Sequence, residues 1–275
     1  MGFVRGFLAA IVAVYILFVG AIWFTQTKFI FRPTRTVDET PGEAGVKFEN
    51  VTLPLDGGQL AGWWVPAENP EARTLLYLHG NAGNIGVNRD HVLRLRSAGL
   101  NVLIIDYRGY GSSTGGPPRE KFVYEDAERA WQHLVAERHI PPAHIAIYGH
   151  SLGGAVAIDL ASRHPEAGVL ITEATFTSIA GVAEGVPWTR LLPLRLVLTE
   201  RFDSLSKIGA VHMPKLFLQG DADYMAPMAR RLYDAAADPK QLAIIPDGGH
   251  ETSATANPAA YFAALNGFLS QSHFR

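Results

Sequence analysis

Six short, largely apolar runs, interleaved with stretches of helical periodicity, constrain the fold of this chain more than any other feature. The runs are "TLLYL" (74–78), "NVLIID" (101–106), "HIAIY" (144–148), "GVLIT" (168–172), "KLFLQ" (215–219) and "LAIIP" (242–246). A strand with one wet face alternates apolar and polar residues, whereas continuous apolar stretches suit strands covered on both faces. Helical patterns fall at 87–98, 119–138, 152–164, 226–237 and 257–270. Strand alternating with helix predicts an α/β fold, with a mostly parallel central sheet flanked by helices. Upstream, "VKFENVTLPLDGGQLAGWWVP" reads as two strands around a turn at Asp56-Gly57-Gly58. One segment breaks the alternation. Residues of about 179–212, including "VPWTRLLPLRLVLTERF", carry apolar residues and prolines that predict a short helical insertion over the sheet's edge. It reads either as a lid or acyl-pocket wall, or as an ordinary crossover helix.

The front of the chain is different in kind. Gly6 to Phe24 runs without a charge, giving about 28 Å of helix at 1.5 Å per residue, close to the ~30 Å hydrocarbon thickness of a bilayer. Arg5 precedes it, and Lys28, Arg32 and Arg35 follow. A secretory signal has a shorter apolar core, roughly 7–15 residues, and here apolar residues continue past the small-residue site at Ala21 to Phe24. The expectation is an uncleaved single-pass membrane anchor over residues 1–28, then a connector over 29–45 and a globular domain over 46–275. The flanking charges are too evenly divided to set which side of the membrane the domain occupies.

Composition excludes several functions. The net charge of −2, with no basic cluster, argues against a nucleic-acid partner. The absence of cysteine excludes disulfides, thiolate catalysis and cysteine metal sites, and no metal or other cofactor is expected.

The chemistry concentrates in "IAIYGHSLGGAVAI" (145–158). A serine between a strand and a helix must leave a sharp turn, and Gly149 and Gly153 supply clearance on either side of Ser151. The turn lifts the hydroxyl above the carboxyl ends of the strands, where open parallel sheets bind ligands. It also sets the Leu152 amide at a helix N-terminus, where an N–H without an internal partner stabilises an oxyanion. A second glycine loop, "LYLHGNAGN" (76–84), follows another strand and offers the Asn81 amide as the second donor. His79 in that loop reads as a structural brace; Asp106 and Arg108 in "IIDYRGYGSSTG" are charged residues at the active edge that read either as substrate contacts or as groups that pair and hold a loop, the structural reading being preferred.

A serine hydroxyl needs an imidazole to take its proton and a carboxylate to orient that imidazole. For this topology the chain order is serine, acid, histidine. After Ser151, His164 ends the serine's own helix, His212 precedes a strand, and His273 lies in the tail. His250, in "IIPDGGHET", follows a strand's carboxyl end and is the expected base; His150, though adjacent, points away from the hydroxyl. Asp223, in "LFLQGDADYMAP", is the expected acid. Asp221 reads as holding the turn, Glu173 is a further acid candidate, and Asp247 reads as a loop cap.

Taken together, "FIFRPTR", "LHGNAGN", "DYRGYGSS", "YGHSLGGAVA", "TEATFTS", "RFDSLSKI", "QGDADYMAP" and "DGGHET" resemble the membrane-anchored α/β-hydrolase-domain proteins, serine hydrolases of the α/β-hydrolase fold. The resemblance implies Ser151, Asp223 and His250 as triad and the Asn81 and Leu152 amides as oxyanion hole. It also implies a cofactor-independent enzyme acting on esters, thioesters or lysolipids. The sequence departs from the family at Gln219, where histidine is usual, and at Ala226, where valine is. The competing expectations are an idle membrane-tethered scaffold of the same fold, and an acyltransferase using the same acyl-enzyme.

Overall fold

The computed structural model describes residues 2–274. Eight strands form one sheet: β1 (Glu49–Leu55), β2 (Gly58–Val65), β3 (Thr74–Leu78), β4 (Asn101–Ile105), β5 (Ile145–His150), β6 (Val169–Glu173), β7 (Lys215–Gly220) and β8 (Lys240–Ile245). Their spatial order is β8-β7-β6-β5-β3-β4-β2-β1. β1 and β2 form an antiparallel hairpin, β2 meets β4 antiparallel, and every other pairing is parallel.

The helices are α1 (Gly2–Ile30), α2 (Arg89–Ser97), α3 (Glu120–Gln132), α4 (Leu152–Arg163), α5 (Ile179–Glu184), α6 (Leu194–Val197), α7 (Ser204–Ile208), α8 (Ala226–Ala235), α9 (Ser253–Ala256) and α10 (Pro258–Gln271). Within the apolar strands the two-residue period persists beneath the uniform composition. In β3, Leu75 and Tyr77 pack with Val92 and Leu95 of α2 and with Tyr261 and Leu265 of α10. Leu76 and Leu78 face the opposite core, with Val123 of α3, Val156 and Leu160 of α4 and Leu232 of α8. Two helical layers therefore enclose the sheet, so the central strands need no polar face.

The edge departs from that expectation. Among the described residues β8 pairs only with β7, and most of it is half-buried, with Ile244 50% exposed. An edge strand has no neighbour to cover its outer side, whatever its composition. The helix expected over 119–138 is α-helical only to Gln132 and ends in a wider π-type turn over His133–Glu137.

The segment after β6 folds as α5, a 3-10 turn at Pro187–Leu191, α6 and α7. Ile179, Val182 and Leu192 from it form one wall of a cavity above Ser151; this segment is called the lid. α1 does not stand apart from the domain. Phe31, just past its end, is buried against Phe202, and Arg32–Pro33 pair in parallel with Ala82–Gly83.

Candidate active site

Ser151 is the residue between β5 and α4, with φ 53° and ψ −118°. That backbone is strained for a side-chain-bearing residue, and its surroundings hold it there. A Cβ on Gly149 would lie 2.1 Å from the Gly153 carbonyl oxygen, and one on Gly153 would lie 1.9 Å from the Leu78 oxygen. Neither position accepts any side chain. The Ser151 N–H donates to the Glu173 carbonyl (2.9 Å), and the Thr175 hydroxyl donates to the Ser151 carbonyl (2.9 Å). The turn is thus tied to β6 from both sides.

The loops after β7 and β8 bring the other two residues in. Ser151 Oγ lies 2.9 Å from His250 Nε2, and His250 Nδ1 lies 3.1 Å from Asp223 Oδ2. The two loops touch backbone to backbone: a Cβ on Gly220 would meet the Gly248 oxygen at 2.0 Å. Asp223 also accepts from the Met225 N–H (2.9 Å) and from the Gln219 side-chain amide (2.8 Å). Burial works against its charge, but the bonds from His250, Met225 and Gln219 outweigh it and hold its carboxyl below the usual range. For His250, burial favours the neutral ring. The hydrogen bond and charge of Asp223, aided by Glu251, overcome this and raise its pKa above 6.5.

The remaining candidates are held elsewhere. Glu173 accepts from the hydroxyls of Tyr148 and Tyr261 and lies 3.4 Å from His91. Asp221 is exposed, and Asp247 occupies a left-handed turn (φ 60°). His164 is bound by Glu128 and Glu166, each at 2.9 Å, while His212 and His273 are exposed. Arg108 pairs with Asp126 (2.6 Å) and Glu125 (2.9 Å), and Asp106 accepts from the Ile85 N–H (2.9 Å).

Three contributions were not foreseen from the residues. His150 Nε2 donates to the His250 carbonyl oxygen (3.1 Å), so the serine's neighbour braces the loop that carries the imidazole. Gln219 is the second side-chain donor to Asp223. The third lies at the end of α1, where Asn81 Nδ2 donates to the Ile30 carbonyl (2.9 Å) and the Arg32 N–H donates to the Asn81 carbonyl (2.8 Å). The glycine loop beside Ser151 is therefore fastened to α1. Only the first two had a sequence signal: adjacency for His150, and the position before a strand-end glycine for Gln219.

Ser151, Leu152 and Asn81 open onto a cavity of about 520 Å³, within the size range of small-molecule sites. Ile22 and Phe29 of α1 wall it on one side, Val182 and Trp188 of the lid on another, with His250 and Glu251 at the serine. A second hollow of about 630 Å³, between α3, α4 and the lid's end, is lined mainly by charged side chains such as Arg119, Glu125 and Glu200 and holds no serine.

A family model described as serine aminopeptidase, S33 matches residues 69–203. An uncharacterized protein of Mycobacterium tuberculosis is 34% identical over 91% of this chain and 89% of its own length. Protein bem46 of Schizosaccharomyces pombe is 34% identical over 79% of this chain and 76% of its own. The alpha/beta hydrolase domain-containing protein WAV2 of Arabidopsis thaliana is 32% identical over 77% and 76% respectively. Among solved structures, the Pyrococcus furiosus esterase Pf2001 superposes with a TM-score of 0.72 at 20% identity, covering 88% of this chain and 97% of that one.

Proposed function

This chain belongs to the α/β-hydrolase-domain family and is a hydrolase, and from that premise we propose that it cleaves carboxylic esters or thioesters through an acyl-enzyme on Ser151. The observation that carries the proposal is the unbroken line Ser151 Oγ–His250–Asp223 at the floor of an apolar cavity.

In the proposed cycle His250 Nε2 takes the Ser151 proton as Oγ bonds to the acyl carbon, and the carbonyl oxygen becomes an oxyanion. The Asn81 and Leu152 backbone N–H groups receive that charge, each worth on the order of 10²–10³ in rate. Collapse of the tetrahedral adduct breaks the bond to the alcohol or thiol, which leaves with the proton held on His250. Water then adds to the acyl-enzyme, again losing a proton to His250, and the acid departs as Ser151 regains its hydrogen. Asp223 remains ionised throughout and fixes the imidazole tautomer.

α1 has the length and hydropathy of a membrane span (Phe3–Ile30, mean hydropathy 2.6), and we assign it as a single-pass anchor. A second reading, an aminopeptidase, is favoured by the family model and by one group in the site. Glu251, 74% exposed and 3.8 Å from His250 Nε2, offers a carboxylate for a substrate ammonium. The apolar cavity walls favour the ester.

The test is labelling of the folded protein by a fluorophosphonate probe, with Ser151→Ala as control. We expect labelling of the wild type and none of the variant. A folded wild type that stays unlabelled sinks the serine-hydrolase assignment. Turnover of p-nitrophenyl esters against amino-acid p-nitroanilides separates the two readings.

A further inference from the structure

We propose that the lid is embedded in one leaflet of the bilayer beside α1, and that the substrate is a membrane-resident long-chain ester whose acyl chain enters the cavity from that leaflet. The proposal takes its chemistry from the serine-hydrolase reading and adds where the substrate comes from.

The argument begins with length. Arg5 and Lys28 bound the uncharged part of α1. With Arg5 at one membrane surface, ~30 Å of hydrocarbon takes about 20 residues of helix, reaching roughly Thr25. Trp23 and Phe24, 46% and 78% exposed, then sit at the far interface, where aromatic residues concentrate. Tyr15, eight positions earlier, lies about 12 Å deeper.

The lid goes with it. The Tyr15 hydroxyl donates to the Leu191 carbonyl (2.7 Å), and the rings of Phe18 and Trp188 meet edge to face at 6.3 Å. Gln26, 3% exposed, fixes the seam below: its amide donates to the Val197 carbonyl and its oxygen accepts from the Thr199 N–H, both at 2.9 Å. A helix that spans therefore carries Trp188 and Leu191 into the hydrocarbon.

The lid's surface fits that solvent. Trp188 is 47% exposed, Leu191 70% and Leu196 82%, forming an apolar patch continuous with α1. Single exposed apolar residues are ordinary, but a contiguous patch marks an interaction surface. From Gly185 to Thr199 there is no acidic residue, and the exposed Arg195, two positions before the Val197 that Gln26 holds near the interface, is long enough to carry its charge back to lipid phosphates. The same two elements, α1 and lid, wall the cavity over Ser151. An acyl chain passing along their seam reaches the serine without crossing water.

The absence of native cysteine allows clean single-site labelling. The full chain, reconstituted in phosphatidylcholine vesicles, is spin-labelled at Leu191→Cys or, as the aqueous reference, at exposed Glu71→Cys in the loop before β3. We expect the label at 191 to collide with oxygen and be shielded from a water-soluble nickel chelate, with the reverse at 71. Equal nickel access at both positions overturns the proposal. In a second measurement, the Leu191→Glu/Leu196→Glu variant, altered at two side chains outside the cavity, should hydrolyse p-nitrophenyl palmitate held in vesicles at least tenfold more slowly. Its turnover of soluble p-nitrophenyl acetate and its fluorophosphonate labelling should stay within twofold of wild type. Equal loss on both esters, or on neither, overturns entry from the leaflet. Absence of fluorophosphonate labelling in the wild type would instead indict the serine-hydrolase reading, leaving the spin-label result to decide the lid's location.

Discussion

His79 and His250 follow the carboxyl ends of β3 and β8, and each faces an aspartate, Asp106 at 3.6 Å and Asp223 at 3.1 Å. The surroundings divide them. His79 is fully buried against the rings of Tyr107 and Tyr110, at 4.5 and 5.2 Å, and its Nδ1 is tied to the Gly80 carbonyl (2.8 Å). Burial lowers its pKa to about 4 and pushes Asp106 up to about 7, so burial works against the charged form of both groups. His250 keeps one nitrogen on its aspartate and turns the other to Ser151 and the cavity, with 19% of its side chain exposed. An imidazole beside a carboxylate is thus a common packing solution at this edge. It becomes a base only where the carboxylate stays ionised and the second nitrogen meets an exchangeable proton.

The largest expected effect tests that division directly. Asp223→Asn should lower kcat/KM for a soluble ester by roughly 10⁴, the scale set by removing an orienting aspartate from an intact site. Asp106→Asn should change it less than about threefold. Comparable losses in the two variants, measured on protein with native circular dichroism, would erase the distinction between the pairs.

A smaller effect concerns the loop that holds His250, the proposed base. The His150 bond to the His250 carbonyl is a single side-chain-to-backbone contact, worth about 1 kcal/mol. His150→Ala should therefore reduce kcat by up to about tenfold with little change in KM, since it acts through His250 and not on substrate. Unchanged kcat would remove His150 from the positioning network. The pH profile sharpens the same point. Protonated His250 cannot accept the serine proton, and its pKa is raised. The acid limb of kcat/KM should have its midpoint above 6.5 in the wild type, and Asp223→Asn should move it down.

Much of this was legible along the chain because the causes are local. Apolar runs declare strands buried on both faces, and the glycines around Ser151 declare a turn that admits no Cβ. The choice of His250 rested on which loops end at the same edge, and the geometry brings it to Ser151. What stayed hidden depends on distant neighbours. The exposure of Ile244 follows from strand order, not composition. The uncharged run in α1 has the signature of a span, and nothing in it signals that Ile22 and Phe29 also wall a cavity. Gln26 meets Val197 and Thr199 from 171 and 173 positions away. Glu173 looked like an acid for His250 because it ends a strand. The hydroxyls that claim it belong to Tyr148 and Tyr261, the latter 88 residues downstream.

The last expected effect lies in stability, on the His79–Asp106 side of the comparison. Because burial raises the Asp106 pKa to about 7, the folded chain keeps a proton there that the unfolded chain releases near pH 4. Between those values the native state binds more protons than the unfolded state, so this group's contribution to stability falls as pH rises and levels off above about 7. Asp106→Asn removes the titration while keeping an oxygen that can accept from the Ile85 N–H. The difference in melting temperature, variant minus wild type, should therefore grow in the variant's favour from pH 4 to 7 and stay flat above it. Other titrating groups are common to both proteins and cancel in the difference. A difference independent of pH would mean that Asp106 is ionised in the fold, and the contrast between the two pairs would then rest on geometry alone.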